Sequence, residues 1–282
     1  YLLSANELYF QNAGLANMAW FTPLTFDLTL TSIFCPLING AALTIYDSGK
    51  EMSSILTELF TKDVVTSTVK LTPAHLRLVP DLGIKETLIQ QLIVGGEQLY
   101  QNQIEEIIKF NKNIRIFNEY GPTETTVGCT VKKIDNNDQL ITIGCPVLNT
   151  DVYILNANNK ILPSGVIGQI GIGGIGVSKG YINRNELTNS KFIDNPFREN
   201  QKIYLTGDLG KRMANKEMEY VGREDSQVKI NGFRIEIGEI EQGLLTQSDI
   251  KQASVVVADE AEVSKYLIVY YVSDTVTEEN AK

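Results

Sequence analysis

The sequence predicts an α/β fold followed by a β-rich part and a small α+β domain. Strand-like and helix-like stretches alternate over the first half of the chain. Glycine and proline punctuate short strands from about residue 140, and a hairpin pattern, a helix and two more strands end the sequence. The alternation is typical of a parallel sheet with crossover helices. The predicted domain boundaries are 1–139, 140–223 and 224–282.

Composition excludes several classes of protein. The chain has 282 residues and a net charge of −9 without any Lys/Arg-rich run, which disfavours a nucleic-acid partner. No apolar run is long enough for a membrane-spanning helix, so no membrane partner is expected. The scattered Cys35, Cys129 and Cys145 indicate reduced thiols and a cytoplasmic location. Because His75 is the single histidine, a Cys/His zinc site is not expected.

The first part, 1–139, carries the predicted parallel sheet. Its helices and strands are predicted at 52–63 (helix), 64–71 (strand), 88–96 (strand), 98–110 (helix) and 115–121 (strand). Ligands of such sheets bind at the carboxyl ends of the strands. The segment NEYGPTETT follows one of these ends. The helix-like TPAHLRLV places His75 behind this edge, where we interpret it as structural.

The second and third parts have shorter elements. The short strands from 140 predict a compact β-barrel or sandwich. The glycines of IGIGGIGVSKGY are interpreted as tight strand turns, because a GxGGxG pattern away from a strand-to-helix turn is a weak phosphate signal. Past 222–227, QVKINGFRIEI predicts a hairpin that turns at Asn231-Gly232. A helix and two strands follow.

Two segments carry residues suited to nucleotide chemistry. In GPTETT, threonine hydroxyls and backbone N–H groups can face phosphate oxygens, and Glu124 can hold Mg²⁺. Tyr120 can lie flat against a nucleobase. Asp208, at the end of YLTGD, can accept both hydroxyls of a ribose. The alternatives are a plain surface turn with proline at its second position and an aspartate in an ordinary turn.

Five segments in series resemble the amino-acid adenylation domains of nonribosomal peptide synthetases, which belong to the adenylate-forming superfamily. They are FDLTLTS, NEYGPTETT, IGIGGIGVSKGYINR, YLTGD and GREDSQVKINGFRIEIGEIE, and they span nearly the whole chain. The resemblance implies a partial adenylate-forming fold and an ATP-dependent ligase. Such an enzyme forms aminoacyl-AMP, releases pyrophosphate and passes the aminoacyl group to the phosphopantetheine thiol of a peptidyl carrier protein. Neighbouring synthetase domains are further implied partners.

The resemblance also implies roles for the residues of NEYGPTETT. Tyr120 stacks on adenine and Asn118 contacts the adenine amino group. Thr123 meets phosphate and Glu124 binds Mg²⁺, so these two are the candidate catalytic residues. Displacement at phosphorus needs positioning and charge neutralisation more than a covalent catalyst, which suits a chain with one histidine.

The remaining nucleotide residues come from other segments. The resemblance assigns the ribose to Asp208 and Arg223 and places Gly96 and Tyr220 near the nucleotide. Asp225 is the hinge about which the small domain moves between an adenylating and a thioester-forming pose.

Two features of the family are not found in this sequence. A Ser/Thr/Gly-rich phosphate loop precedes the FDLTLTS region in the family, and an essential lysine lies near the end of its small domain. The sequence starts at Tyr1 and stops at ENAK (279–282). We interpret it as a piece that is incomplete at both ends, and we expect the piece alone to bind little ATP and to be inactive.

The resemblance places an amino-acid pocket at scattered positions. They are Asp27, Leu28, Thr31, Lys70, Ile93, Gly95, Glu119, Val127 and Gly128. Asp27 would pair with the α-ammonium of the substrate, because a buried cation without a partner is costly. The alternative is that Asp27 caps the next helix.

Lys70 offers an ammonium group that donates hydrogen bonds, and Glu119 offers a carboxylate that accepts them. A carboxamide suits this pair, because its C=O accepts from Lys70 and its NH₂ donates to Glu119. Apolar side chains form the walls and the glycines leave room. Asparagine is therefore the favoured substrate. Aspartate would place a second carboxylate near Glu119, and an aspartate-activating domain is the alternative. The alternative is a plain salt bridge between Lys70 and Glu119.

Two rival functions remain at this point. An acyl-CoA or aryl-acid ligase would share the fold, but its substrate has no α-ammonium to pair with Asp27. A truncated, inactive scaffold is the second rival, because the phosphate loop and the terminal lysine are missing from the sequence.

Overall fold

A computed structural model describes residues 1–10, 13–135, 138, 140–225, 227–230, 233–260 and 264–273. The chain divides into two compact units, Tyr1–Glu224 and Asp225–Lys282. Within the described ranges, no helix combines the length and the apolar character needed to cross a membrane.

Unit 1 begins with an α/β layer. Its helices are α1 (Leu2–Tyr9), α2 (Thr29–Ile38), α3 (Met52–Thr61), α4 (Pro73–Leu78) and α5 (Gln101–Phe110). Its strands are β1 (Met18–Trp20), β2 (Leu43–Ile45), β3 (Thr68–Leu71), β4 (Gln91–Gly95), β5 (Arg115–Tyr120), β6 (Thr130–Lys133) and β7 (Cys145–Pro146). Short 3-10 turns lie at Ala13–Leu15, Val79–Leu82 and Thr123–Thr125.

The described strands of this layer form one sheet in the order β2-β1-β3-β4-β5-β6-β7. The pairs up to β5 are parallel, and β6 and β7 add to it in antiparallel fashion. The helix–strand alternation predicted for this part is therefore present. The sheet extends past residue 139, the predicted end of this part, to β7. Cys145 of β7 pairs with Val131 of β6.

The two faces of this sheet have different partners. Val69 and Leu71 of β3 belong to an apolar cluster with residues of α3 and α5. Lys70 lies between them, so its side chain points to the opposite face. On that face Ile93 and Phe117, in register with Lys70, pack in a second cluster with residues of α1. A lysine thus lies in the middle of a fully buried strand.

The rest of unit 1 is β-rich. Its elements are β8 (Thr150–Leu155), β9 (Gly168–Gly174), α6 (Asn185–Lys191), β10 (Phe192–Asp194), β11 (Lys202–Arg212) and β12 (Met218–Arg223). The described strands are antiparallel, in the order β10-β11-β9-β8, and β12 pairs with β11.

The glycines of 170–181 do not all form turns, so that prediction is partly wrong. Gly171 and Gly173 lie inside β9. A Cβ at Gly171 would lie 2.7 Å from a methyl carbon of Leu155, so a larger residue there would displace this buried side chain of β8. Gly174 and Gly180, with φ of 110° and 124°, do have the positive φ that turns use.

Unit 2 is a small α+β arrangement. Its elements are β13 (Gln227–Ile230), β14 (Phe233–Glu236), α7 (Ile237–Leu245), β15 (Ile250–Glu260) and β16 (Ser264–Ser273). β13 pairs with β14 and β15 with β16, both antiparallel. The predicted turn at Asn231-Gly232 and the segment 279–282 lie outside the described residues.

His75 stabilises the start of α4. The backbone N–H of Thr72 donates to His75 Nδ1 over 3.1 Å, in a capping box that closes the first turn. The ring also packs edge-on against Phe21, with centroids 5.5 Å apart. Burial, with a smaller contribution from Arg77, lowers the pKa of His75 to about 4. The neutral ring is therefore the form that accepts the Thr72 bond.

This pKa predicts that stability depends on pH. The folded pKa lies below that of an unfolded histidine, so between pH 6.5 and 4 the unfolded chain binds a proton that the folded chain does not. Stability is thus fully present above pH 6.5 and is lost as the pH falls through this window. Urea unfolding at pH 7 and pH 5 should show a loss about 1–2 kcal/mol larger for wild type than for His75→Gln. Equal losses in the two proteins would contradict this role.

Candidate active site

A buried ion pair lies on the inner face of the sheet. Lys70 of β3 donates to Glu119 Oε2 of β5, and the two side chains are 0% and 4% exposed. Lys70 Nζ also donates to Thr31 Oγ1 at 2.7 Å and to the Tyr1 hydroxyl at 3.1 Å. The three N–H groups of the ammonium therefore match three acceptors. Of the two sequence-based alternatives, the structure shows the direct salt bridge.

Two tyrosines hold the other oxygen of Glu119. Oε1 accepts from the Tyr1 hydroxyl at 2.6 Å and from the Tyr9 hydroxyl at 2.8 Å. Burial and the Glu119 carboxylate raise the pKa of both tyrosines well above the usual value, so both hydroxyls remain donors. Tyr1 and Tyr9 are not predicted from the sequence, because neither belongs to a motif and Tyr9 is 110 residues from Glu119.

Asp27 has a carboxylate oxygen with no hydrogen-bond partner among the described residues. Its Oδ2 is buried, and no donor among the described residues reaches it. The helix-capping alternative is wrong, because Leu28 is the N-cap of α2 and no side chain caps this helix. Backbone carbonyls satisfy the first N–H groups of the helix instead, as in the 2.9 Å bond from Leu30 to Asp27. A buried acceptor of this kind calls for a cation or another donor.

Gly95 and Gly128, two of the predicted pocket residues, leave space for Glu119 itself. A Cβ at Gly128 would lie 2.5 Å from Glu119 Cδ, and one at Gly95 would lie 2.8 Å from the Glu119 carbonyl oxygen. Val127 has φ of 65°, an uncommon conformation for a β-branched residue. Such strain persists only where the surroundings fix it and concentrates at functional sites. The other apolar pocket residues, Leu28 and Ile93, are buried.

The residues assigned to adenine and ribose form one hydrogen-bonded group. The Tyr120 hydroxyl donates to Asp208 Oδ2 at 2.6 Å, and Arg223 Nη1 donates to Asp208 Oδ1 at 2.6 Å. The β11–β12 register places Asp208 and Arg223 opposite each other. The Tyr220 ring lies 6.4 Å from the Tyr120 ring, centroid to centroid. Burial and the Asp208 charge raise the pKa of Tyr120 well above its usual value.

Two further candidates for nucleotide binding lie near the carboxyl ends of β5 and β4. Asn118 of β5 is buried, and its Nδ2 donates to the Thr142 carbonyl at 2.8 Å. This bond fixes the amide and so defines the direction of Asn118 Oδ1, which can accept a hydrogen bond. Gly96 directly follows β4 and has φ of 91°, which favours glycine.

The GPTETT turn is packed against the β-rich part and is not a plain surface turn. Glu124 is buried, and its Oε1 accepts from the Tyr181 hydroxyl at 2.6 Å. The backbone N–H of Ser178 donates to the Glu124 carbonyl at 2.8 Å. Thr123 remains exposed at the start of the turn. Tyr181 was missed because its segment was interpreted only as a set of strand turns.

The hinge assignment falls at the division of the chain into units. Asp225 is the first residue of unit 2. Its carboxylate accepts from the backbone N–H of Gln227 at 3.2 Å, at the start of β13.

The sheet and the Tyr120–Asp208–Arg223 group are those expected of an adenylate-forming enzyme. A family model for AMP-binding enzymes matches residues 3–182. The chain therefore belongs to the AMP-binding enzyme family, and its relatives and structural neighbours group it with the adenylation domains of nonribosomal peptide synthetases.

Two curated relatives show the extent of the similarity. Bacitracin synthase 3 of Bacillus licheniformis and tyrocidine synthase 3 of Brevibacillus parabrevis are each 42% identical to the chain over 278 residues, or 97% of it. The chain spans only 4% of the length of these synthases.

Solved structures support the same fold. Holo-PA1221, a synthetase protein containing adenylation and PCP domains, has a TM-score of 0.84 at 25% identity and covers 95% of this chain and 47% of its own. Holo-AB3403, a four-domain nonribosomal peptide synthetase bound to AMP and glycine, has a TM-score of 0.72 at 29% identity. It covers 100% of this chain and 21% of its own.

The buried ion pair predicts a strongly non-additive mutant series. Lys70→Met leaves the Glu119 charge buried without its cation and should destabilise the fold by about 3–5 kcal/mol. Adding Glu119→Gln removes that charge and should restore most of the loss. Urea unfolding of wild type, Lys70→Met, Glu119→Gln and the double variant measures the four free energies of unfolding that the comparison needs.

A surface pair provides the control. Lys50→Met removes a partner of Glu58 from a pair whose side chains are 47% and 43% exposed, and it should cost less than about 1 kcal/mol. If Lys70→Met lowers the free energy of unfolding no more than Lys50→Met does, the buried ion pair does not stabilise the fold as proposed.

Proposed function

We propose that the chain is the amino-acid-activating part of an adenylation domain and that its substrate is L-asparagine. In the reaction, an oxygen of the substrate carboxylate bonds to the α-phosphorus of ATP while the bond to pyrophosphate breaks. The products are aminoacyl-AMP and pyrophosphate. The single observation that carries an amino-acid substrate is the buried Asp27 Oδ2, which no donor of the described residues satisfies. An α-ammonium supplies the missing donor and the opposite charge.

The nucleotide roles follow from the hydrogen-bonded group of Tyr120, Asp208 and Arg223, in which Asp208 lies inside β11. Tyr120 offers its ring to adenine while its hydroxyl holds Asp208, and Arg223 orients the same carboxylate. Asp208, fixed at both oxygens, is pre-positioned to accept from the ribose hydroxyls. Asn118 Oδ1 would accept from the adenine amino group. AB3403, a relative of similar fold, has been solved with AMP and glycine.

Mg²⁺ is the cation that this site would use. Mg²⁺ that binds with a nucleotide is held largely by substrate phosphates and needs only one or two carboxylates from the protein. Glu124 is such a carboxylate, fixed from one side by Tyr181. When bound, Mg²⁺ neutralises phosphate charge, and Thr123, exposed beside it, donates its hydroxyl to a phosphate oxygen.

The contacts of Tyr1 support the asparagine proposal. Its hydroxyl accepts from Lys70 at 3.1 Å and donates to Glu119 at 2.6 Å. A carboxamide makes the same two bonds, with its oxygen toward Lys70 and its nitrogen toward Glu119. We therefore propose that the substrate amide replaces the Tyr1 hydroxyl as the third acceptor of Lys70, while the ion pair and the Thr31 bond remain.

The later steps need partners outside this chain. A carrier protein would present its phosphopantetheine thiol to the aminoacyl-AMP, with unit 2 turning at Asp225 between the two half-reactions. PA1221, which contains adenylation and PCP domains, supports this partner. The cysteines Cys35, Cys129 and Cys145 are free thiols, which fits a cytoplasmic setting.

Amino-acid-dependent exchange of pyrophosphate into ATP tests the function. In the full-length protein, asparagine should support the fastest exchange among asparagine, aspartate, glutamine and leucine. Asp27→Asn should reduce kcat/KM for asparagine by about 100-fold or more, because the ammonium loses its charged partner. The matched control Asp47→Asn changes an exposed aspartate that bonds only locally to Gly49, and it should keep full exchange. Preference for aspartate or leucine would reject the asparagine assignment.

Glu119 should determine the discrimination between asparagine and aspartate. Glu119→Gln removes the carboxylate that repels a substrate carboxylate, so the ratio of kcat/KM for asparagine to that for aspartate should fall about tenfold. Glu58→Gln, in the surface pair with Lys50, is the control and should leave the ratio unchanged. A wild-type ratio in Glu119→Gln would show that Glu119 does not read the side chain.

A further inference from the structure

Tyr9 is held rigidly on both its ring and its backbone. The side chain is 0% exposed and packs edge-on against Phe117, with centroids 5.0 Å apart, and against Phe10 at 6.1 Å. Its carbonyl oxygen accepts from Arg115 Nη2 at 3.0 Å. The hydroxyl therefore has little freedom to move away from its partner.

The partner of this hydroxyl is the residue proposed to read the substrate. Tyr9 donates to Glu119 Oε1 at 2.8 Å in a fully buried hydrogen bond. Bonds from a neutral donor to a carboxylate are stronger than neutral pairs, and their loss in a buried site is costly. Because burial and the Glu119 charge raise the pKa of Tyr9 well above its usual value, the hydroxyl stays a donor over the working pH range.

Tyr1 and Tyr9 contribute differently to the same oxygen. The Tyr1 hydroxyl also contacts Lys70 and Thr31, at 3.1 and 2.7 Å, and Tyr1 as a residue is half-buried, whereas Tyr9 is fully buried. Its position suits a group that an incoming polar side chain can replace. The Tyr9 hydroxyl bonds to Glu119 from inside the second apolar cluster, so a substrate amide does not compete with it.

We propose that Tyr9 is a specificity-determining positioning residue, whose hydroxyl fixes Glu119 Oε1 so that this oxygen can accept the amide N–H of the substrate. The inference rests on the proposed function of the pocket. Lys70 fixes Oε2 and Tyr9 fixes Oε1, so the carboxylate plane cannot turn. A substrate carboxylate then meets an immobile negative charge, whereas an amide meets a pre-oriented acceptor. Without Tyr9, Glu119 can turn away from a substrate carboxylate, and aspartate is tolerated.

The experiment compares Tyr9→Phe with a matched control in the full-length protein. Phenylalanine keeps the ring and removes only the hydroxyl. The control, Tyr46→Phe, removes the hydroxyl of another buried tyrosine that donates to a carboxylate, Asp63 Oδ2, at 2.8 Å. Tyr46 belongs to the apolar cluster on the opposite face of the sheet. The unfolding temperature of each variant is measured alongside, so that a loss of stability can be separated from a change of selectivity.

The readout is selectivity in pyrophosphate exchange. Tyr9→Phe should shift the asparagine-to-aspartate ratio of kcat/KM about tenfold toward aspartate, the order expected for a bond to a charged group. KM for asparagine should rise while KM for ATP stays at the wild-type value. Tyr46→Phe should keep both the ratio and the KM values.

Two results would overturn the inference. One is a wild-type ratio in Tyr9→Phe, and the other is an equal shift in Tyr46→Phe. The wild-type protein tests the proposed function separately, through which amino acid it prefers. Should wild type prefer aspartate, the asparagine assignment fails, but Tyr9→Phe must still shift the ratio in the same direction if Tyr9 positions Glu119.

Discussion

The pairing of Lys70 with Glu119 inside the sheet constrains everything around it. Two charges removed from water destabilise a fold unless each finds its opposite and its remaining hydrogen-bonding groups are satisfied. Thr31 and Tyr1 supply acceptors to the ammonium, and Tyr1 and Tyr9 supply donors to the carboxylate. An apolar pair would suffice for folding alone, so a polar cluster of this kind points to recognition.

Strand β5 joins this cluster to the nucleotide residues. Neighbouring residues of a strand point to opposite faces, so Glu119 faces the ion pair while Tyr120 faces Asp208. The turn after β5 then carries Glu124, which the β-rich part holds through Tyr181. Under the proposed function, the end of β5 and the turn after it would supply side chains for the amino acid, the nucleotide and the metal. If one segment has all three binding roles, NEYGPTETT must combine many polar residues with a rigid turn.

The sequence predicted what local patterns encode. The β-branched runs predicted β3 and β4, and the motif series led to the family and to Asp208 and Glu124. Tyr9 and Tyr181 could not be predicted, because their partners lie 110 and 57 residues away and no spacing links them. Gly171 was assigned to a turn because its need for close packing on Leu155 is a tertiary constraint. Whether Lys70 and Glu119 form a salt bridge or stay apart likewise depends on the strand register, which the sequence does not reveal.

A crystal structure of the full-length protein with a non-hydrolysable asparaginyl-adenylate analogue tests the central claim most directly. The account predicts the α-ammonium within about 3 Å of Asp27 Oδ2 and the carboxamide between Lys70 Nζ and Glu119 Oε1, with Tyr9 still bonded to Glu119. It also predicts that the Tyr1 hydroxyl has left Lys70. An ammonium bound elsewhere, or a carboxamide that contacts neither Lys70 nor Glu119, would contradict it.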